Sequence, residues 1–92
     1  MRKVQLSGSN LNVSALCLGT ADLGSKVDDA AAHAQFDRYL AAGGNFIDTA
    51  HCYSAWVPGK LGVSDRLVGE LIARVGRDGL VIAGKGGHIG YE

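Results

Sequence analysis

This chain has no net charge, few cysteines and no long apolar run, and each shortage excludes a class of protein. Nine basic side chains balance nine acidic ones over 92 residues. No basic stripe is available for a nucleic-acid backbone, so we expect no nucleic-acid partner. The two cysteines, Cys17 and Cys52, have no metal-ligand spacing and suit a reducing compartment. We therefore expect a cytoplasmic protein.

The apolar residues, 47% of the chain, are spread rather than clustered. No stretch approaches the roughly 20 consecutive apolar residues of a membrane span, so no membrane association is expected. Met1-Arg2-Lys3 begins like a signal peptide, but the apolar run of such a peptide does not follow. Without a secretion signal, the sequon Asn12-Val13-Ser14 is a chance match.

The pattern of apolar segments and breakers predicts a hairpin followed by strand, helix, strand, helix, strand. This rhythm is typical of βαβ units with right-handed crossovers. Asp28 and Ser64 are suitable N-caps for the two helices, and glycines follow both helix ends. The predicted elements are a hairpin of 4–6 and 11–13 around the turn 7–10, a doubly buried strand 15–18, a helix 28–42, a strand 45–47, a helix 64–75 and a strand 80–84.

Each helix carries one apolar stripe that indicates its packing face. Charged side chains occupy the other face of the second helix. The predicted packing residues are Ala32, Phe36, Tyr39 and Leu40 in the first helix, and Leu67, Val68, Leu71, Ile72 and Val75 in the second.

Three polar side chains stand at or after predicted strand ends. Asp48 follows one strand and begins Asp-x4-Tyr with Tyr53, and Lys85 follows the next strand. In a βα-barrel, side chains at this end of successive strands converge on one site. The ammonium of Lys85 would favour the ionised form of Tyr53, and Asp48 would hold Lys85 in place. Such a group of side chains is suited to general acid–base chemistry at a carbonyl oxygen.

Each of these residues also has a plainer interpretation. Asp48 alone suits a turn, Tyr53 a loop, and Lys85 a solvated strand end. These interpretations do not account for the spacing of Asp48 and Tyr53 between a strand and a long loop. Nor do they explain a lone lysine at an apolar strand, where a carboxylate must compensate its desolvation.

Four stretches around this trio, in order and at matching spacings, resemble the aldo-keto reductases. The resemblance implies an α/β fold: the N-terminal βαβαβ part of a (β/α)8 TIM barrel, preceded by a β-hairpin cap. Residues 1–92 would form this N-terminal part of the barrel domain. The stretches are Val13-Ser14-Ala15-Leu16-Cys17-Leu18-Gly19-Thr20, Gly43-Gly44-Asn45-Phe46-Ile47-Asp48-Thr49-Ala50 with Tyr53, Ser64-Asp65-Arg66-Leu67-Val68-Gly69-Glu70 and Val81-Ile82-Ala83-Gly84-Lys85-Gly86-Gly87.

The resemblance also implies an activity, an oxidoreductase that reduces aldehydes or ketones to alcohols with NADPH, with NADH as the alternative cofactor. Tyr53 would donate the proton, with Lys85 and Asp48 as its catalytic partners. Gly19, Thr20 and Asp48 would lie near the cofactor, although Thr20 also suits a simple strand-end turn. Trp56 would line the pocket of a small carbonyl substrate, or serve as a lid on the barrel rim.

A full barrel takes about 250 residues, so this chain accounts for its opening part. The chain begins with a family-like N-terminus, and we expect the missing portion to be C-terminal. The family's catalytic histidine belongs at the end of the next strand, and His88 follows Lys85 too closely to be that residue. His51, Cys52 and His88 have no recurrent ligand spacing, so no metal site is expected.

The glycine-rich segments do not match the common nucleotide-binding motifs. Gly84-Lys85-Gly86-Gly87 does not fit the P-loop pattern, and no G-x-G-x-x-G follows the first strand. Two alternatives to an enzyme remain open. One is a barrel of the same fold that binds NADPH without turnover as a regulatory subunit. The other is a small interaction module that pairs through its open strand edges. The sequence does not indicate an oligomeric state or a particular substrate.

Overall fold

The computed structural model describes residues 1–90, in which a hairpin precedes a three-stranded parallel sheet. The strand order in that sheet is β3-β4-β5, and one helix lies between each consecutive pair of strands in the chain. The predicted α/β architecture, a hairpin cap and the opening βαβαβ of a barrel, is confirmed. The elements are β1 (Lys3–Gln5), β2 (Asn12–Ser14), β3 (Leu18–Gly19), α1 (Asp29–Ala41), β4 (Phe46–Ala50), α2 (Val63–Val75) and β5 (Val81–Lys85).

The hairpin is closed by its own turn and tied to the sheet by one asparagine. β1 and β2 pair antiparallel with Val4 opposite Val13. Gly8 takes a φ of 76°, a conformation that glycine adopts without steric penalty. The side chain of Asn45 accepts a hydrogen bond from the Ser14 amide at 2.7 Å and donates one to the Asn12 carbonyl at 2.9 Å. The hairpin is therefore fixed to the start of β4.

The first barrel strand is shorter than the sequence predicts. We expected a doubly buried strand over 15–18, but β3 contains only Leu18 and Gly19, and Leu16 is 67% exposed. The segment before it still belongs to the hairpin side, since the Ala15 amide donates to the Arg2 carbonyl at 2.8 Å. The Leu16 carbonyl accepts from the Tyr39 hydroxyl rather than from a neighbouring strand. The unbroken apolar run over 15–18 predicted a strand buried on both faces, but the contacts of this segment leave the Leu16 side chain exposed.

The predicted N-cap is confirmed in the first helix and wrong in the second. Asp28 is the N-cap of α1, and its carboxylate accepts from the Ala31 amide at 2.8 Å, as predicted. Ser64 is not the cap of α2, because the helix begins at Val63 after Gly62, whose φ is 79°. Ser64 is fully buried and bonds to other hydroxyl groups instead. At the other end of α2, Val75 is exposed although the stripe pattern predicted burial.

The parallel sheet has a helix face and an inner face, and the register determines which side chains share a face. Ile47 lies among the core residues of both helices, so it points to the helix face. Asp48 is its neighbour in β4 and therefore points to the inner face. β5 pairs with β4 so that Asp48 is opposite Ala83 and Ala50 is opposite Lys85. Lys85 consequently shares the inner face with Asp48. The buried core residues are Leu23, Ala32, Phe36, Ile47, Val63, Leu67, Val68, Leu71 and Leu80.

Tyr39 joins α1, the hairpin and β4 at one point. Its hydroxyl oxygen lies 2.6 Å from the Leu16 carbonyl oxygen, 2.8 Å from the Phe46 carbonyl oxygen and 2.6 Å from Ser14 Oγ, which compete for its one hydrogen, and it accepts from the Phe46 amide at 3.1 Å. The ring passes directly over Gly44, where a Cβ would lie 2.3 Å from Tyr39 Cζ. Only a glycine fits beneath this ring.

Candidate active site

Two strands and one loop bring the predicted trio together on the inner face. Asp48 is the third residue of β4, so it lies within the strand rather than just beyond its end as the sequence suggested. Lys85 is the last residue of β5. Tyr53 stands in the loop after β4, whose first residue, His51, donates its amide to the Lys85 carbonyl at 3.1 Å. This bond keeps the start of the tyrosine loop beside the end of β5.

The three functional groups form a closed triangle of hydrogen bonds. Lys85 Nζ donates to Asp48 Oδ1 and, at 2.8 Å, to Tyr53 Oη. Tyr53 Oη donates its hydrogen to Asp48 Oδ2 at 2.7 Å. These directions follow from chemistry, because an ammonium only donates and a carboxylate only accepts. The ammonium also lies 4.7 Å from the centre of the Tyr53 ring, within cation–π range.

The charges in this triangle stabilise one another. For Asp48, burial favours the neutral acid, but hydrogen bonds from Lys85 and Tyr53 and the charge of Lys85 outweigh it and hold the pKa of Asp48 below its usual value. For Lys85, burial favours the neutral amine, but bonds to Asp48 and Tyr53 and the charge of Asp48 raise the pKa of Lys85. At neutral pH the triangle therefore contains an ammonium and a carboxylate, with the phenol between them.

A buried group of hydroxyls supports Asp48 from the helix face. Thr20 Oγ1 donates to the Asp48 carbonyl at 2.8 Å and contacts Ser64 Oγ. Ser64 Oγ also contacts Thr49 Oγ1 at 2.6 Å, and Thr49 Oγ1 donates to Asp65 Oδ1 at 2.7 Å. These contacts join the end of β3, the middle of β4 and the first turn of α2. The backbone that carries Asp48 is therefore held by side chains as well as by the sheet.

A cavity of about 330 Å³ opens beside Tyr53 and Lys85. Its wall consists of residues from the end of β4, the tyrosine loop and the end of β5, so a small molecule placed there would reach the phenol. The lining residues are Ala50, His51, Cys52, Tyr53, Lys85, Gly86, Gly87 and His88.

The remaining predicted site residues, Gly19, Thr20 and Trp56, lie outside the lining of this cavity. Gly19 pairs with Asp48 across the sheet and shares its face. Thr20 is buried and its hydroxyl already has partners, so only its backbone is available to a cofactor. Trp56 is 54% exposed in the tyrosine loop. Cofactor contacts by Gly19, Thr20 and Asp48, and a substrate contact by Trp56, stay predictions.

Sequence reasoning missed several residues near the site. Thr49 and Asp65 belong to the hydrogen-bonded cluster beneath Asp48. Ser54, the residue directly after Tyr53, is fully buried. Cys17 lies close enough to the trio for its thiol to respond to it. Burial raises the pKa of Cys17, and the Asp48 carboxylate adds to this against the opposing charge of Lys85. The one available signal was the position of Cys17, which is two residues before Gly19 and directly precedes β3.

Two negative findings apply to the described part of the chain. Within residues 1–90, no group of three or more His, Cys, Asp or Glu side chains could hold a metal ion. In the same range, neither helix combines the length and the apolar character needed to cross a membrane.

Comparison with known proteins gives consistent matches. A family model described as Aldo/keto reductase family matches residues 15–92. The chain is 39% identical over 87 residues to Protein tas of Escherichia coli (strain K12), covering 92% of this chain and 25% of that protein. It is 35% identical over 91 residues to norsolorinic acid reductase of Aspergillus flavus, covering 90% of this chain and 22% of that protein.

A third relative, aldo-keto reductase ausK of Aspergillus calidoustus, is 45% identical over 83 residues, covering 86% of this chain and 19% of the relative. In all three cases the chain spans a quarter of the relative's length or less. The similarity therefore extends over nearly all of this chain but over a small part of each relative.

Proposed function

The chain belongs to the aldo/keto reductase family, and on this basis we propose that it supplies the acid–base half of an NADPH-dependent carbonyl reductase. The substrates would be aldehydes or ketones, and the products alcohols. The observation that carries the proposal is the closed triangle of Asp48, Tyr53 and Lys85 on the inner face of the sheet. A phenol held between an ammonium and a carboxylate is suited to giving a proton to an oxygen and recovering it.

The surface of the sheet is open at Gly19, beside this triangle. Gly19 is the neighbour of Asp48 in the sheet, and a Cβ added to Gly19 would meet no atom within 4 Å. The residues therefore fit a nicotinamide at this edge of the trio. When bound, the cofactor supplies a hydride to the carbonyl carbon. NADH is the alternative cofactor, because the choice between the two depends on groups that contact the adenosine end.

Tyr53 would act as the proton donor. In the structure its hydrogen is directed to Asp48 Oδ2, so a carbonyl oxygen must replace the carboxylate as acceptor. Once the phenol has given its proton to the oxygen, the Lys85 ammonium at 2.8 Å stabilises the phenolate that is left. Asp48 compensates the charge of Lys85 and keeps Nζ directed at the phenol. Solvent at the exposed lysine would then return a proton to Tyr53.

A second candidate function is a small interaction module, and one observation favours it. β3 and β5 each pair with β4 on one edge, and within residues 1–90 neither has a partner on its other edge. Unpaired edges can accept strands from another chain. This function requires that residues 1–92 be stable and soluble alone.

The experiment that separates these proposals begins with the coding sequence beyond Glu92. A continuing frame that encodes a helix and then a strand ending in histidine would support the reductase. A completed barrel is then tested. The completed barrel is the longer protein that carries residues 1–92. If the frame stops at Glu92, the completed barrel is residues 1–92 joined to the remainder of Protein tas. NADPH consumption is followed with a panel of aldehydes, ketones and norsolorinic acid, the compound named for several relatives. If no carbonyl compound is reduced, the reductase proposal is wrong.

A further inference from the structure

Ser54, the residue after Tyr53, has a backbone conformation that only glycine adopts easily. Its φ is 63°, and among residues 1–90 it is the one non-glycine residue with a positive φ. A Cβ is crowded by the backbone in this conformation, so the surrounding structure must enforce it. Serine has no intrinsic preference that would explain the geometry. The cause must lie in what the Ser54 side chain contacts.

The Ser54 side chain is fully buried and makes two hydrogen bonds, both to the segment that follows β3. Ser54 Oγ donates its hydrogen to the Ala21 carbonyl at 2.9 Å. A hydroxyl group has one hydrogen, so at its 2.7 Å contact with Ser25 Oγ, Ser54 must accept. Ser25 therefore donates to Ser54 in preference to the Asp22 carbonyl, which is 3.2 Å away.

These bonds connect two parts of the proposed site that the sheet alone does not join. Tyr53 and Ser54 are consecutive, so the Ser54 backbone fixes the base of the tyrosine. Ala21 follows Gly19 and Thr20, which stand where the proposed function places the cofactor. Asp48 and Lys85 hold the phenolic oxygen of Tyr53, and the Lys85 carbonyl holds the loop backbone at His51, on the side of Tyr53 opposite to Ser54.

We infer that Ser54 is a positioning residue that sets the distance between the Tyr53 phenol and the cofactor edge of the site, by tying the tyrosine loop to the segment after β3. This inference rests on the proposed reductase function. Ser54 touches neither substrate nor cofactor and acts through Tyr53. The strained φ is the consequence of holding both bonds while Tyr53 faces Asp48.

Two substitutions in the completed barrel separate positioning from stability. Ser54→Gly removes both bonds but adopts a positive φ without strain, so its melting temperature should stay close to that of the parent. Ser54→Ala removes the same bonds and keeps the strain, so it should be less stable. Both variants should lose kcat by about 10- to 100-fold, with NADPH affinity changed little, because a shift of about 1 Å in a catalytic group is enough for such a loss.

Ser9→Ala is the matched control. Ser9 also makes two hydrogen bonds, to the Leu6 carbonyl and from the Leu11 amide, but it lies in the hairpin turn. It should leave kcat unchanged. If Ser54→Gly keeps kcat within twofold of the parent, or if kcat falls only in step with melting temperature across the variants, the inference is wrong.

Amide hydrogen exchange on the same proteins tests the link independently of activity. In Ser54→Gly, exchange should become faster in both 51–57 and 21–25, and in Ser9→Ala it should change in neither. Faster exchange in 51–57 alone would show that Ser54 does not join the segments and would overturn the inference even in an active enzyme. A parent barrel that reduces no carbonyl compound would overturn the proposed function and, with it, the positioning role. The exchange result would still decide whether the two segments are joined.

Discussion

Tyr53 directs its hydroxyl hydrogen at Asp48 Oδ2 across 2.7 Å, so the proposed acid already has an acceptor for its proton. The same carboxylate accepts from Lys85. Asp48 thus has two effects, since it holds the ammonium beside the phenol and also competes with any carbonyl oxygen for the phenol's hydrogen. A substrate must offer Tyr53 a better-placed acceptor than Asp48 does.

Asp48 should control the titration of Lys85. In Asp48→Asn the carboxylate charge is lost, so the pKa of Lys85 should fall from its raised value toward or below the usual value of 10.5, since burial then acts with less opposition. Nuclear magnetic resonance of the lysine side-chain carbon next to Nζ in the completed barrel measures this. Asp22→Asn is the control, because Asp22 is not among the groups that shift Lys85. An unchanged Lys85 titration in Asp48→Asn would refute the charge coupling.

The contribution of the ion pair to stability should be confined to a defined pH range. The pKa of Asp48 is lowered on folding, so its contribution is present above about pH 3.8 and is lost as the pH falls through the lower folded value. The pKa of Lys85 is raised on folding, so its contribution is present below about pH 10.5 and is lost as the pH rises through the higher folded value.

Both side chains are partly exposed, so the effect should be small, about 0.5–1 kcal/mol. Urea unfolding of the completed barrel and of Lys85→Met across this range should show the difference between them at neutral pH. It should shrink in strong acid and in strong alkali. A difference that persisted unchanged in acid strong enough to protonate Asp48 in the folded protein would mean that the stability effect of Lys85→Met comes from packing rather than from the charge pair.

Gly44 should tolerate no side chain, whereas Gly69 should. In Gly44→Ala the new Cβ would lie 2.3–2.5 Å from three Tyr39 ring atoms, so the ring must move and its hydroxyl must leave its partners. We expect a loss of about 2–4 kcal/mol in the free energy of unfolding. Gly69 lies in the exposed part of α2 with no atom within 4 Å of an added Cβ, so Gly69→Ala should stabilise by about 0.5–1 kcal/mol. Equal stabilities for the two variants in chemical denaturation would contradict the account of the Tyr39 junction.

Residues 1–92 alone should neither bind NADPH measurably nor reduce a carbonyl compound. They provide three sheet strands, two of them with one edge unpaired within residues 1–90, and expose Leu16. We expect the isolated chain to associate or to remain partly unfolded. Size-exclusion chromatography, amide exchange and cofactor fluorescence titration test this. A sharp monomer peak with protected strands would instead favour the interaction module, and saturable low-micromolar NADPH binding would contradict the expected lack of affinity.

The trio could be predicted from sequence because the same local pattern, a strand-like segment that ends in a polar residue, occurs twice. Strand-like residues precede Asp48 and Lys85, and the βαβ order predicts that the two strands are parallel neighbours, so their carboxyl ends lie at the same edge of the sheet. The cap of α1 was predictable for the same reason, since Asp28 needs only the amide three residues later. In both cases the deciding partners are close in sequence or are fixed by strand order.

The sequence could not show which hydrogen-bond partner a residue takes when the partners lie far apart in the chain. Ser64 has the chemistry of a helix cap, but its hydroxyl is taken by Thr20 and Thr49 from two other strands or strand ends. Leu16 is apolar yet exposed, and its carbonyl accepts from Tyr39 of α1 rather than from a strand. The positive φ of Ser54 depends on a carbonyl 33 residues away in the chain. Local propensity carries no information about any of these.

The most direct measurement of the central claim is carbonyl reduction by Tyr53→Phe in the completed barrel. The change removes only the phenolic oxygen, so ring packing and NADPH affinity should survive while proton donation is lost. General acids contribute about 10²–10⁴-fold, so kcat should fall at least that far, and Lys85→Met should show a similar loss. Near-full turnover by Tyr53→Phe would show that another group is the acid, and would contradict the role assigned to the triangle of Asp48, Tyr53 and Lys85.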